Sequence, residues 1–423
     1  MKNKITLLAI LCSSAVMAQF PLADEWMLNT DGTTASYEYY PGMPPTTQTV
    51  NLTDSADVLT VCYDNDYVYI RANGLASYLM GPWAMNPNEP AAILKTYRFP
   101  RNPQEEMGAK EDQPFGGALG IAINGVSLYG IGDARSYNTT DNENNAMGDG
   151  LWNSDAWVSE GPTLDASGLG HADGNENYHY HATPISLYPG STTTHSPIVG
   201  WSFDGFPIYG PYGYDSPYDA GSGIVRIETG YSLRSITDRT ILPGGGTSTP
   251  PGPAINATFP LGTYQEDWEF TDAGHLDEYN GRWCVTPEFP DTIYAYFVTK
   301  DAAGDPEYPY YVGPQYFGVV NASEVGGGSG NITIPGGVTC LGGTNSVDEV
   351  SSLEFSLYPN PSNGILNVKG VDRANYTIVD QVGRVVSEGK INSSIDIEKL
   401  ENGMYHLHLE LEGKRAQSSF VKK

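Results

Sequence analysis

Apolar and polar side chains alternate with a period of two, and this pattern constrains the fold of the chain more than any other feature. It is plain in Asp57–Ile70 and Ile293–Thr299, whereas few stretches have a helical period. Successive side chains of a strand point to opposite faces of a sheet, so a period of two indicates strands. The 49 glycines and 30 prolines interrupt the strands and favour turns. We predict a mainly β protein, with a large β-rich domain with long loops over residues 19–325.

Two pairs of similar segments occur in the middle of the chain. Gly120–Gly130 and Gly200–Gly210 share spaced glycines, a central Asn-Gly or Asp-Gly and a terminal Tyr-Gly. Such a central pair between apolar runs is typical of a hairpin turn, so each copy is predicted to be a β-hairpin. Tyr178–Thr183 matches Tyr294–Thr299 in both tyrosines and the threonine, but the second copy lacks both histidines. The domain is built from two related halves, or the short strings match by chance.

Histidines cluster in the segment Gly170–His181. If this segment ends in a strand, His179 and His181 share one face with Cα atoms roughly 6–7 Å apart, and both imidazoles can reach one metal. Tyr178 and Tyr180 then point the other way, into packing. The alternative is a pair of structural histidines that are hydrogen-bonded to the backbone.

Further ligands can come from residues near this strand. His171 and Asp173 lie on the turn before it, and the hairpin that follows can return His195 and Asp204 to the same place. Imidazoles suit zinc, copper, iron or nickel, and an aspartate carboxylate fits such a set. We predict a divalent transition metal, copper or zinc, held by His179, His181, His171, Asp173 and Asp204.

Calcium is a weaker prediction for two oxygen-rich segments. Asp141–Asn145 and Asp64–Asp66 carry carboxylate and amide oxygens. Neither segment has the glycine and the distal glutamate of an EF-hand loop. We expect these side chains to stabilise their own turns.

Acidic residues outnumber basic ones by 50 to 22, which gives a net charge of −28. Binding to phosphate requires lysine and arginine that displace counterions, so this surface disfavours nucleic acid and anionic lipid. Attraction of cations and solubility in a salty habitat explain the charge equally well.

The start of the chain resembles a secretory signal. Basic Met1–Lys4 is followed by the apolar run Ile5–Leu11 and by small residues up to Ala18. We predict cleavage after Ala18, in preference to a lipoprotein signal at Cys12 or a buried N-terminal helix. The apolar run is too short to span a bilayer, and no later segment approaches 18 apolar residues, so no transmembrane segment is predicted in the mature chain.

The tail, residues 347–423, reads as short alternating strands between turns and predicts a small β-sandwich. It resembles the type A sorting domain of the type IX secretion system in four ordered motifs, which are Tyr358–Gly364, Asp380–Arg384, Asn402–Tyr405 and Phe420–Lys423. This resemblance implies Sec export, passage across the outer membrane by the type IX machinery, removal of the domain, and either anchoring to surface polysaccharide or release. Glycine-rich residues 326–346 are predicted to be a flexible linker.

The middle domain resembles the YHYH domain family over a core of about residues 50–320. The motifs that carry this resemblance are Tyr178–His181, Gly200–Gly210, Glu266–Phe270 and Leu276–Pro290. The family has no settled biochemical activity, so the resemblance implies domain identity and export more than a reaction. Similar proteins often carry cysteine at the position of Tyr279 and lack Cys284, so no disulfide pairing is carried over.

Three cysteines remain after the predicted cleavage: Cys62, Cys284 and Cys340. Export favours disulfides, and an odd count leaves one thiol free or paired between molecules. The sequence does not choose the pair.

Three functions are compatible with these features. The first is a secreted or cell-surface protein that binds a divalent metal through the histidine cluster. The second is an extracellular metal-dependent enzyme, with Glu176 or Asp204 as candidate bases. The third is a carbohydrate-binding or adhesion module that stacks sugars on tryptophans such as Trp152, Trp157 and Trp201.

Overall fold

The computed structural model describes residues 25–42, 44–188, 190–342, 356–371, 373–379, 385–411 and 414–423. The predicted signal peptide and its cleavage site at Ala18, and the Asp380–Arg384 motif, lie outside the described residues. The chain divides into two units, residues 1–344 and 345–423. Among the described residues, no helix has the length and apolarity needed to cross a membrane.

The first unit is built from short strands with long connections. Its strands, β1 to β21 in chain order, are Thr34–Tyr39, Gln48–Ser55, Val58–Tyr63, Tyr67–Ala72, Lys95–Pro100, Ala118–Ala122, Ser127–Tyr129, Gly132–Asn138, Glu143–Asn145, Asn153–Asp155, Gly170–Ala172, Tyr178–Tyr180, Ile198–Ser202, Pro207–Tyr209, Tyr212–Tyr214, Ile224–Arg226, Tyr231–Leu233, Trp268–Phe270, Gly281–Cys284, Ile293–Phe297 and Thr339–Gly342. Among the described residues of this unit there is one α-helix, α1, which spans Ala156–Glu160. Turns of 3-10 helix lie at Gly161–Thr163, Ile185–Leu187, Pro243–Gly245, Gln265–Asp267 and Ala322–Glu324. The mainly β prediction is confirmed.

An eight-stranded sheet forms the centre of this unit, in the order β11-β12-β7-β6-β13-β14-β20-β19. Both predicted hairpins are present, since β6 pairs with β7 and β13 with β14 in antiparallel register. Gly125 and Gly205 occupy the turns with φ of 80° and 89°, a conformation that glycine adopts without steric cost.

The pattern of strand pairing is the same when the sheet is followed from either end: an antiparallel pair, a parallel pair and a second antiparallel pair. β6 and β13 pair at its centre, and β12 and β20 pair in parallel with β7 and β14. The registers agree, because Tyr180 lies opposite Leu128 and Tyr296 lies opposite Ile208. The relation between two halves that the sequence echoes suggest therefore extends to their topology.

Apolar side chains cover both faces of the central sheet. Leu119 and Val199 belong to one buried cluster, which also contains Tyr178 and Tyr180. Their immediate neighbours along the strands, Ala118 and Ile198, belong to a second cluster. Because alternate side chains of a strand enter opposite clusters, strands β6 and β13 are buried along their whole length.

A second sheet, of order β21-β3-β4-β5, decides the cysteine pairing. β21 pairs with β3, which places Cys340 opposite Cys62, and the two form a disulfide. Cys284 is a buried free thiol.

The glycine-rich segment that we predicted to be a linker is hydrogen-bonded within the first unit as far as it is described. Gly326 donates its N–H to the Ala118 carbonyl at 2.7 Å, and Thr96 donates to the Gly330 carbonyl at 2.9 Å. These bonds and β21 fix the segment through Gly342, so glycine here serves close backbone contacts rather than flexibility.

The second unit contains strands β22 to β28, which are Ser356–Tyr358, Ile365–Lys369, Arg373–Val379, Val385–Asn392, Ser394–Asp396, Gly403–Leu411 and Lys414–Lys422. They form a sheet of order β22-β23-β26 and a sheet of order β25-β24-β27-β28. Leu366 and Ile395 from the first sheet share one buried cluster with Ile378 and Leu407 from the second. Two sheets that enclose one apolar core are a small sandwich, as predicted.

Candidate metal centre

A tight hairpin brings the histidines of Gly170–His181 together. β11 and β12 pair antiparallel with His171 directly opposite His179, and His181 follows two residues later on the same side. The intervening turn is held by Asp173, whose Oδ1 accepts the N–H groups of Asn175 and Asn177 at 2.8 and 3.0 Å. Tyr178 and Tyr180 point into the apolar core, as the alternation predicts.

The three imidazoles converge through their Nε2 atoms. His179 Nε2 lies 3.2 Å from His171 Nε2 and 3.0 Å from His181 Nε2. The side chains are buried, with exposed fractions of 7%, 2% and 3% for His171, His179 and His181. One ligand atom from each lies within 4.8 Å of the other two, which is a spacing suited to one metal ion.

The opposite ring nitrogens define the tautomers. His179 Nδ1 lies 3.0 Å from the Asn177 carbonyl and His181 Nδ1 lies 3.2 Å from the Gly130 carbonyl, and a carbonyl only accepts hydrogen bonds. His171 Nδ1 lies 2.8 Å from Thr163 Oγ1, and that hydroxyl donates its own proton to a carbonyl at 2.6 Å. All three rings therefore carry hydrogen on Nδ1, and each neutral ring has its lone pair on Nε2.

A carboxylate that the sequence did not reveal completes this cluster. Glu160 Oε2 lies 2.9 Å from His181 Nε2 and 3.5 Å from His171 Nε2. Glu160 is the last residue of α1, whose N-terminus is capped by Asp155 through the Val158 N–H. No periodicity links this short helix to the histidines, so only the folded chain places it here.

Four acceptor atoms that face one another need positive charge between them. Hydrogen bonds alone require two added protons, one to join His181 to Glu160 and one to join His171 to His179. A single divalent cation supplies the same charge and accepts all the lone pairs at once. The donor set thus fits a transition metal, with Nδ1 partners of the kind that orient metal-bound histidines.

The electrostatics of the cluster depend on Glu160. Burial, reinforced by His181 and His171, holds the pKa of His179 well below its ordinary value. Burial also acts to lower the pKa of His181, but the contact with Glu160 outweighs it and raises that pKa. Burial acts to raise the pKa of Glu160, and its contacts with His171 and His181 reverse this and lower it. The site therefore combines an ionised carboxylate with a neutral His179.

The cluster opens into a polar cleft of about 580 Å³. Tyr129 forms one wall and stacks on the His179 ring, with centroids 3.9 Å apart and planes at 23°. Asn86, Asp133 and Arg135 are among the polar residues that line the cleft. The three histidines therefore lie in the wall of a space large enough to hold small polar molecules.

Two other predicted site residues play different parts. Asp173 lines the cleft, but its carboxylate is committed to its own turn. Asp204 is not brought into the cluster: it is fully buried and accepts hydrogen bonds from the Tyr296 hydroxyl at 2.6 Å and the Gly318 N–H at 2.9 Å. Its counterpart in the first half is Asn124, which contacts the Tyr180 hydroxyl, so the hairpin turn lies on the tyrosine side of the sheet.

Neither Glu176 nor His195 joins the histidine cluster. Glu176, a candidate base, is exposed on the hairpin turn. His195 bonds the Ser196 carbonyl through Nδ1 and packs against Tyr209 and Tyr214. In the oxygen-rich turn at Asp64, the carboxylate accepts the backbone N–H groups of Asp66 and Tyr67, so it stabilises its own turn as expected.

The second half of the sheet lacks these ligands. Its register places Arg282 opposite Ala295, where the first half has His171 opposite His179. Phe297 stands where the first half has His181. The candidate centre is therefore confined to one of two related halves.

These features define an exported β protein with a sorting domain and a buried histidine cluster. The sequence matches the family described as YHYH protein over residues 96–308, about half of the chain, and the chain belongs to this family. Residues 356–423 match the family described as secretion system C-terminal sorting domain. This domain marks a protein that is secreted by the type IX system and attached to the cell surface.

Similarity to solved structures is weak. One matching structure is that of PorZ, an essential surface component of the type IX secretion system of Porphyromonas gingivalis, which has 9% sequence identity to this chain and a TM-score of 0.15. The match covers 90% of this chain and 55% of PorZ, so the chain spans about half the length of that protein. A search of curated proteins finds no match.

Proposed function

We propose that this chain is a cell-surface protein that binds one divalent transition metal, copper or zinc, through the Nε2 atoms of His171, His179 and His181. One observation carries the proposal: the buried Nε2 atoms of His171 and His181 both lie within 3.2 Å of His179 Nε2, and each of the three rings is held by a partner at Nδ1. Neutral imidazoles arranged in this way are typical metal ligands. We also propose that surface polysaccharide is the anchor of the exported protein.

The test is elemental analysis of the full chain purified without a histidine tag. The wild type is expected to contain about one equivalent of a transition metal per chain, and His179→Ala/His181→Ala is expected to contain none. His275→Ala is the matched control, because His275 contacts the backbone of Glu228 outside the cluster. Equal, near-zero metal content in the wild type and in the double variant would overturn the proposal.

A second candidate function, a metal-dependent extracellular enzyme, is favoured by the cleft. A buried metal that faces a polar space of this size can bind and activate water or a small ligand. Turnover screening of the metal-loaded protein separates catalysis from binding alone. The carbohydrate-stacking alternative has less support, because Trp152 and Trp201 are 2% and 0% exposed and cannot meet a sugar ring.

A further inference from the structure

We infer that Glu160 is the fourth ligand of this centre, so that the metal is held by three imidazole nitrogens and one carboxylate oxygen. The inference rests on the proposed function and adds a residue, and with it a preference among metals, to the same site. It does not follow from the histidine pattern, because α1 precedes the hairpin and shares no strand with it.

The position of Oε2 is the first support. Ligand atoms bound 2.0–2.1 Å from one metal are separated by about 2.8 to 3.4 Å at angles between 90° and 109°. Glu160 Oε2 lies 2.9 and 3.5 Å from two Nε2 atoms, and the nitrogens lie 3.0 and 3.2 Å apart. The oxygen thus lies close enough to two of the three histidines to share one metal ion with them.

The surroundings of Oε2 are the second support. This atom is buried, and no backbone or hydroxyl group of the described residues donates a hydrogen bond to it. The neighbouring carboxylate of Asp133 differs, because its Oδ1 accepts the Arg135 N–H at 2.9 Å. Of these two acidic groups, only Glu160 directs an uncommitted oxygen at the imidazoles.

The backbone around Glu160 is the third support. The Thr163 hydroxyl donates to the Glu160 carbonyl at 2.6 Å and lies 2.8 Å from His171 Nδ1. One short segment therefore supplies a carboxylate to the cluster and holds one of its histidines.

A carboxylate ligand changes which metals the centre prefers. It adds one negative charge and a hard oxygen donor, which favour zinc and other divalent ions, whereas Cu(I) favours soft ligands. We therefore expect removal of the Glu160 charge to weaken binding of Zn(II) and Co(II) much more than binding of Cu(I).

The experiment compares Zn(II) affinity by chelator competition, and Co(II) absorption spectra, for the full-length wild type, Glu160→Gln and Asp133→Asn. Loss of a ligand should weaken binding at least as much as loss of a supporting partner, which is about 10- to 100-fold. Glu160→Gln should show this loss with an altered Co(II) spectrum. Asp133→Asn, which removes a nearby charge but no ligand, should weaken Zn(II) binding less than Glu160→Gln does and leave the Co(II) spectrum unchanged.

Glu160→Ala with added formate separates ligand loss from misfolding. If the carboxylate binds the metal, formate should enter the space left by the side chain and restore the Co(II) spectrum. Wild-type affinity and spectrum in Glu160→Gln, or failure of formate to act on a folded Glu160→Ala, would overturn the inference. Absence of metal from the wild type would instead overturn the proposed function.

Discussion

Asp155 allows a quantitative test of how the helix that carries Glu160 is held. Its carboxyl group is fully buried, and Oδ1 accepts the Tyr310 hydroxyl at 2.6 Å and the Val158 N–H at 3.1 Å. Burial raises the pKa of Asp155 from an ordinary 3.8 to about 7. Asp155→Asn keeps an acceptor at Oδ1 and an effective N-cap, but it removes the ionisable proton.

The magnitude follows from the difference between the two pKa values. One pKa unit corresponds to about 1.4 kcal/mol, so ionisation of Asp155 disfavours the folded state by roughly 4 kcal/mol. The folded-state pKa is raised, so the stabilising contribution of the protonated carboxyl is fully present below pH 3.8 and is lost as the pH rises through about 7. Asp155→Asn lacks this dependence. Its free energy of unfolding should therefore rise by roughly 4 kcal/mol relative to wild type between about pH 4 and about pH 8.

Urea unfolding at several pH values, followed by tryptophan emission, measures this difference. All seven tryptophans lie between Trp26 and Trp283, so the signal reports on the first unit. Asp219→Asn, at an exposed aspartate, is the control and should show no comparable dependence. A stability difference between Asp155→Asn and wild type that stays constant with pH would refute the reasoning.

Two further predictions concern the support of the site and of the fold. Thr163→Val should weaken metal binding by about 10- to 100-fold, because His171 Nδ1 loses its hydroxyl acceptor. Chelator competition checks this against Thr194→Val at an exposed position, and equal affinities would contradict it. Replacing both Cys62 and Cys340 by alanine should lower the free energy of unfolding by about 2–5 kcal/mol, because their bond joins residues 278 apart. Unchanged urea unfolding of this double variant would contradict that expectation.

The two hairpins were predictable because their information is local. Asn124-Gly125 and Asp204-Gly205 are dipeptides that favour a turn with positive φ, and the apolar runs on either side form the strands. The shared face of His179 and His181 follows from the geometry of a strand in the same way. The echoes between segments also anticipated the two halves, since related sequences adopt the same register.

Prediction failed where side chains from distant segments meet. The sequence predicts that Asp204 joins the histidines, but its hairpin turn lies on the tyrosine side of the sheet. The glycines of 326–330 were read as a linker because composition does not distinguish a flexible segment from one packed closely against a sheet. Pairing of Cys62 with Cys340 depends on β21 joining the edge of a sheet formed far earlier in the chain.

In the candidate centre, some ligands were predictable from local sequence and others were not. Alternation along one strand was enough to place two imidazoles side by side. The third imidazole lies opposite His179 because of hairpin register. Glu160 lies on α1 and Thr163 on the 3-10 turn that follows it, and no sequence pattern links either residue to that strand. Turn chemistry and side-chain alternation act between neighbours in sequence, whereas a metal site requires donors to converge in space, and that convergence arises only when the chain packs.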